Sequence, residues 1–352
     1  MKRIMMIVLL FFCISFPAYA LETPSLQGEE LFNTTTEEIA SGQFSLNPID
    51  LINKGIQMLF KEVRESADVI ITIIVIAAMS GIVHVMESSF SNKGVGEAAF
   101  FGCFTLMSAA AVKCFSLALG YGMEVIGHMT DFITKLSPLL SILLLAGGNV
   151  TSASAFHPVL SMAVYVITII CQKCIMPLVC FGAVLAVVGN ISDKLQISNF
   201  CSLIRSVSKW ILAAALTIFT GISGIYGLSA PALDAVGSKA AKFAVGSLVP
   251  VVGGFLSDSL ETVVSGAKLM KNAAGTSGLI VMCVLCITPI IKIGAMLLML
   301  RLAAAAIEPL TDKRISGMLW EMAGSVTTVF AMVITVAVLF IISISIILAA
   351  TS

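Results

Sequence analysis

Charged side chains are scarce in this sequence. They make up 11% of 352 residues, against 58% hydrophobic residues, where a soluble domain carries about 25% charge. A chain this long with so little charge cannot clothe a water-facing surface, which excludes an ordinary soluble globular protein and points to lipid as the solvent. Lysine plus arginine and aspartate plus glutamate balance at 20 each, so there is no basic footprint for nucleic acid. Histidines number only three. No Walker-type phosphate loop, HExxH or GxSxG pattern occurs, and no nucleophile is paired with a base. The expectation is a protein that is not an enzyme and needs no cofactor or metal.

The nine cysteines lie mostly within apolar runs (Cys103, Cys114, Cys180, Cys283) and read as small buried hydrophobes rather than a disulfide framework. Two CxxC pairs occur. Cys283 and Cys286 fall in a membrane helix with no histidine or acid at ligand spacing, which argues against a metal. Cys171 and Cys174 fall at a possible turn facing outside, where a disulfide could form.

The N-terminus reads as an export signal. Lys2 and Arg3 precede the apolar run Ile4 to Phe16, Pro17 breaks the helix, and Ala18-Tyr19-Ala20 supplies a small-x-small cleavage pattern. The run is shorter than the ~20 residues of a span. Cleavage after Ala20 translocates the segment that follows and leaves the new N-terminus outside. That segment, residues 21–68, is acidic: Glu22, Glu29, Glu30, Glu37, Glu38, Asp50, Glu62, Glu65 and Asp68 face only Lys54, Lys61 and Arg64. Scarcity of basic residues beside a membrane helix suits the outer face. Within it, Ile52, Ile56, Leu59, Phe60 and Val63 have the spacing of an amphipathic helix.

Residues 69–352 form the membrane domain, and the expected fold is an all-α polytopic helix bundle of seven or eight transmembrane helices. The apolar runs are Val69 to Met86, Ala98 to Leu119, Leu136 to Ala146, Pro158 to Cys171, Ile175 to Val188, Trp210 to Leu228, Ser277 to Leu300 and Gly324 to Ala350. An apolar turn is expected over Val125 to Ile133. The runs on either side of Gln172 and Lys173 are either two tightly connected spans or one bent element. His157, before Pro158, reads as a loop or cap residue. Eight spans with the N-terminus outside return the C-terminus outside. Two basic loops then fall inside, one with Lys194, Arg205 and Lys209, the other with Arg301, Lys313 and Arg314.

Between the last spans, Phe243 to Leu256 is apolar but interrupted by Gly246, Pro250, Gly253 and Gly254. Asp258 with Glu261 three residues on then resembles a capping box. The region 243–271 is expected to be a re-entrant or interfacial element, or else a helical hairpin on the outer surface. A weak internal echo accompanies it. Tyr121-Gly122 leads to Leu136-Ser137-Pro138, and Tyr226-Gly227 to Leu248-Val249-Pro250, as in folds built from two halves with broken helices. Lys113 and Lys292 sit within apolar helices, where a lysine costs at least ~2.5 kcal/mol unless paired or hydrated. Glu124, Asp131, Asp258 and Glu261 are the candidate partners. The lysines either line a polar path or are structural.

Several short pieces, in order, resemble the stage III sporulation protein AE family of endospore-forming bacteria. They are the acidic exported segment, Phe156-His157-Pro158-Val159, Lys239-Ala240-Ala241-Lys242-Phe243, Val249-Pro250-Val251-Val252-Gly253 with Asp258, Lys271-Asn272, Pro289 with Lys292-Ile293, and Leu302-Ala303-Ala304-Ala305 with Pro309. The resemblance implies a permease-like subunit of an export-like complex in the mother-cell membrane around the forespore. Its implied partners are the other stage III proteins and, indirectly, a forespore-membrane protein across the intermembrane space. It supplies no catalytic residues. The expected roles are a conduit subunit needed for late forespore development, a scaffold that seats ring-forming partners, or a stand-alone small-molecule permease.

Overall fold

The apolar runs at 98–119 and 136–146 belong to one helix. In the computed structural model, which describes residue 75 and residues 93–191, 198–248, 253–309 and 311–349, helix α1 runs unbroken over Lys93–Ala146. The expected turn at Val125 to Ile133 is absent because Val125, Ile126, Met129, Ile133, Leu136, Leu140 and Leu144 continue one buried stripe at helical spacing. Gly127 and Pro138 sit inside the helix without ending it. Helix α1 stops where glycine permits: Gly148 takes φ +78°. There the N–H of Asn149 bonds Leu144 O at 2.9 Å and that of Gly148 bonds Leu145 O at 3.0 Å, a Schellman termination.

The chain turns at once into α2 (Val150–Ile169), a π-helical segment (Ile170–Ile175) and α3 (Met176–Gly189). These are continuous, so the two runs flanking Gln172 and Lys173 make one element rather than two spans. The wider π turn absorbs the residues that looked like a connection, as π-bulges inside helices do. Pro158 lies nine residues into α2, not at its start. His157 is therefore in mid-helix rather than a loop or cap.

Helix α4 (Ser198–Leu248), α5 (Gly253–Ile307) and α6 (Lys313–Ala349) complete the order. The described residues thus form an all-α membrane helix bundle in which five segments are long and apolar enough to cross a membrane. Seven of the expected runs fall on described residues, and they give these five because two pairs each merge into one helix. The run Val69 to Met86, like the signal sequence with Ala18 and Ala20 and the acidic segment 21–68, lies outside the described residues. Helix continuity also reshapes the expected element at 243–271. Residues 243–248 end α4, and Gly253 opens α5.

Successive segments run in alternating directions. One end of the bundle holds Lys93, Asn190, Ser198, Ile307 and Lys313, and there Arg314 stacks over Phe100 at 4.0 Å. The other end holds the α1–α2 turn and the end of α6. Helix α6 occupies the middle, packed against α5, α1, α4 and α3, with Val326, Val329, Met332, Val333 and Val336 all at 0% exposure. Association in lipid depends on close packing, because lipid tails are as apolar as the side chains. Gly122 provides such an approach, since a Cβ there would stand 2.8 Å from Val329 Cγ1. Helix α5 then outruns its neighbour. Leu348 meets α5 at Lys271, so the 18 residues from Gly253 to Met270 extend roughly 27 Å beyond that level at 1.5 Å per residue.

Candidate functional site

The two intramembrane lysines do not form a matched pair. Lys113 is exposed on α1, as a snorkelling lysine is. Lys292 is half-buried on α5 with its Nζ 4.9 Å from the centre of the Tyr121 ring on α1, a cation–π contact. Pro138 is a mid-helix residue of α1, whereas Pro250 lies outside the described residues between α4 and α5. The second proline region of the echo thus lies outside the described residues. Gly253 is the first residue of α5, which puts Asp258 in its second turn. Asp258 is not the helix cap that its spacing from Glu261 suggested.

Polar side chains converge instead at the end of the bundle where α3 closes and α4 begins. Glu321 on α6 accepts a hydrogen bond from Asn190 Nδ2 at 3.3 Å, and the same Nδ2 reaches Ala186 O at 2.7 Å. Arg205 on α4 donates from Nη1 to Glu321 O at 3.4 Å. The fully buried Cys201, one turn before Arg205, faces the Glu321 carboxylate. The sequence makes room for this on α6. A Cβ at Gly317 would stand 2.8 Å from Asn190 Oδ1, and one at Gly324 would stand 3.0 Å from Arg205 Cδ. Gly317, Glu321 and Gly324 are one helical face, with the carboxylate set between two notches that admit side chains from α3 and α4. The arrangement pins three helices together, since even a half-buried carboxylate is costly to leave unpaired.

The opposite end has its own polar contacts. Asp234 on α4 is 5% exposed and accepts the N–H of Thr151 at 2.7 Å and of Ser152 at 2.8 Å. Asn149, the N-cap of α2, makes no side-chain cap, so a carboxylate 83 residues away in sequence does that work. Burial alone pushes the Asp234 carboxyl up. The hydrogen bonds from Ser152 and Thr151 outweigh it and hold the group below its ordinary value. Lys271, 1% exposed, sends its Nζ to Leu348 O at 3.0 Å, placing a cation at the carbonyl end of α6 as the helix dipole favours.

The cysteines take no part in cross-linking among the described residues. Cys171 is buried and Cys174 exposed in the π segment, both free thiols, so the possible turn where a disulfide could form is instead helix interior. Buried Cys286 donates to Met129 Sδ at 3.1 Å, while Cys283 is exposed on the same helix.

Comparison with known proteins adds the decisive observation. Residues 31–351 match the family described as stage III sporulation protein AE. The chain belongs to that family. It is 29% identical over 313 residues to the stage III sporulation protein AE of Bacillus subtilis (strain 168), which covers 89% of this chain and 78% of that relative. No solved structure matches. For this stage III sporulation protein AE family member, sporulation and a membrane setting are thereby established. Sequence reading missed Asp234, Glu321, Asn190 and Arg205 as a structural set. Glu321 and Arg205 carried a readable signal, a carboxylate and a guanidinium at the edges of apolar runs. Asp234 carried none, because its partners are backbone N–H groups on a distant helix.

Proposed function

We propose that the protein is a non-enzymatic subunit of the export-like stage III complex in the mother-cell membrane, and that it acts there as the scaffold on which ring-forming partners are seated. The observation that carries this reading is the position of α6. An apolar helix with one fully buried face packs on four others in the middle of the bundle, which suits a solid membrane anchor better than a tube. Helix α5, running past the end of α6, offers such partners an arm.

The orientation rests on an N-terminus outside, not on charge: Arg205, Lys209, Arg301, Lys313 and Arg314 lie toward the end this puts in the cytoplasm, while Lys135, Lys239, Lys242, Lys268 and Lys271 lie toward the other. The α1–α2 turn and the C-terminus then face the intermembrane space. With Val69 to Met86 as a sixth span, the processed N-terminus faces it too. Maleimide labelling of single cysteines at Asn149 and Ser352 from outside, with Asn199 protected, is the expected pattern; the reverse pattern overturns the orientation.

The conduit reading keeps support from Lys292, half-buried and not ion-paired with a described carboxylate. Replacing Lys113 and Lys292 together with methionine separates the two. Normal sporulation with an intact complex is expected of a scaffold. An assembled complex that fails in forespore development would assign the lysines to a path through the protein and overturn the scaffold proposal.

A further inference from the structure

Between α1 and α2 lies a half-open cavity of about 240 Å³ whose wall includes Thr130, Thr134, Ser137, Ser161, Tyr165 and Thr168. All six carry hydroxyls. Two apolar residues, Ile133 and Val164, complete the lining, so no lining residue is charged.

Part of the hydrogen bonding at this wall is internal. Thr134 donates its hydroxyl to Thr130 O at 2.7 Å, leaving its Oγ1 lone pairs to face a ligand. The hydroxyls of Thr130 and Thr168 lie 3.2 Å apart and share one hydrogen bond, which uses one of their two protons. Pro138, four residues past Thr134, has no N–H, so the Thr134 carbonyl lacks its helical donor. The wall therefore offers acceptors together with donors such as the Tyr165 hydroxyl, and a neutral hydroxyl, which both donates and accepts, can use both.

Size and position narrow the occupant further. A volume of 240 Å³ is roughly eight waters at ~30 Å³ each, below the ~300 Å³ of ordinary small-molecule pockets and far too small for a peptide segment. Thr134 is 12 residues along α1 from Gly122, about 18 Å at 1.5 Å per residue. Gly122 packs on Val329, close to the middle of α6. With that contact at the bilayer midplane and ~15 Å of hydrocarbon on each side, the cavity is level with lipid headgroups. Tyr165, 67% exposed at its rim, is the residue type found at that level.

We propose that the α1–α2 cavity binds the neutral, hydroxyl-bearing headgroup of a membrane lipid, a glycerol headgroup being the type. The site recognises the hydroxyls and leaves the phosphate at the rim.

Native mass spectrometry of the purified full chain tests this with phosphatidylglycerol and phosphatidylmethanol, which have equal charge but differ in headgroup hydroxyls. Phosphatidylglycerol is expected to be retained roughly five- to tenfold better, the effect of about one net hydrogen bond. Thr134→Val is expected to abolish the difference without changing the thermal midpoint much, because valine keeps the volume. Val164→Phe, which fills the cavity, is expected to do the same. Equal retention of the two lipids by the wild type overturns the proposal, as does a preference unchanged in both variants. Free glycerol binding as strongly as the lipid would assign the cavity to a soluble polyol instead. Cross-linking of Tyr165→Cys to a neighbouring protein helix in native membranes would assign it to protein contact; either result overturns the lipid assignment.

Discussion

The carboxylate of Asp234, deep in the long helix α4, caps the first turn of α2 by accepting the N–H of Thr151 at 2.7 Å and of Ser152 at 2.8 Å. A tether between segments 83 residues apart fixes the turn that α1 and α2 share to the helix that crosses beside it.

Asp234→Ala is expected to destabilise the protein by about 1–2 kcal/mol, the usual cost of a lost cap, read as a lower thermal midpoint in detergent. Asp234→Asn keeps an acceptor and should lose less. Ser152→Ala is the contrast: it keeps the backbone N–H that bonds Asp234 and removes only a hydroxyl beside the carboxylate, so it should lose less than Asp234→Ala. Equal losses for Asp234→Ala and Ser152→Ala would mean the site responds to packing alone.

The same carboxylate gives a pH dependence of known sign. Its folded value is held below the ordinary one, so the folded state favours the ionised form. The stabilisation is complete above the unfolded value of about 3.9 and is lost as pH falls through the lower folded value. The stability gap between wild type and Asp234→Asn should therefore be flat through neutral pH and close only under acid. A gap that closes on raising pH would contradict the assignment.

Gly324→Leu should push Arg205 away from α6 and open the joint around Glu321. Overfilling a close contact costs about 1–3 kcal/mol. The sharper reading is chemical. Cys201, 0% exposed beneath Arg205, should resist maleimide in the parent protein and react in the variant, measured with the other cysteines replaced by alanine.

Lys271→Met removes the donor to Leu348 O at 3.0 Å. A hydrogen bond from a charged group is worth about 1.5–3 kcal/mol. The loss should appear locally, as faster hydrogen exchange over the last turns of α6, with the middle of α6 still protected. Uniform acceleration along α6 would show that the contact supports the whole helix.

Lys292→Met and Tyr121→Leu should each cost about 0.5–2 kcal/mol, and the double variant little more than either, because both break one cation–π contact. Lys113→Met, at an exposed position, should leave the midpoint unchanged. Full additivity between Lys292 and Tyr121 would remove the contact from the account.

The membrane class of the protein, its helical fold and its family were legible in the sequence, since hydropathy and short ordered motifs are local properties that survive without coordinates. The sites of helix breaks were not. Proline within a helix, as at Pro138 and Pro158, is tolerated where neighbouring helices and hydroxyls satisfy the backbone it frees. A π turn can absorb residues that look like a loop. Both facts depend on the surroundings, so the span count fell when apolar runs merged.

Sequence by itself determined that the chain lives in lipid: 11% charge leaves no alternative. Only tertiary structure decided which polar residues matter to one another. Lys113 and Lys292 look equivalent in sequence, yet one is exposed and the other lies over Tyr121. Asp234 finds backbone N–H groups on α2, and Glu321 finds Asn190 and Arg205 between two glycine notches. The physical reason is that buried polar groups are satisfied by whatever donors and acceptors the fold brings within about 3 Å, and those come from segments far apart in the chain.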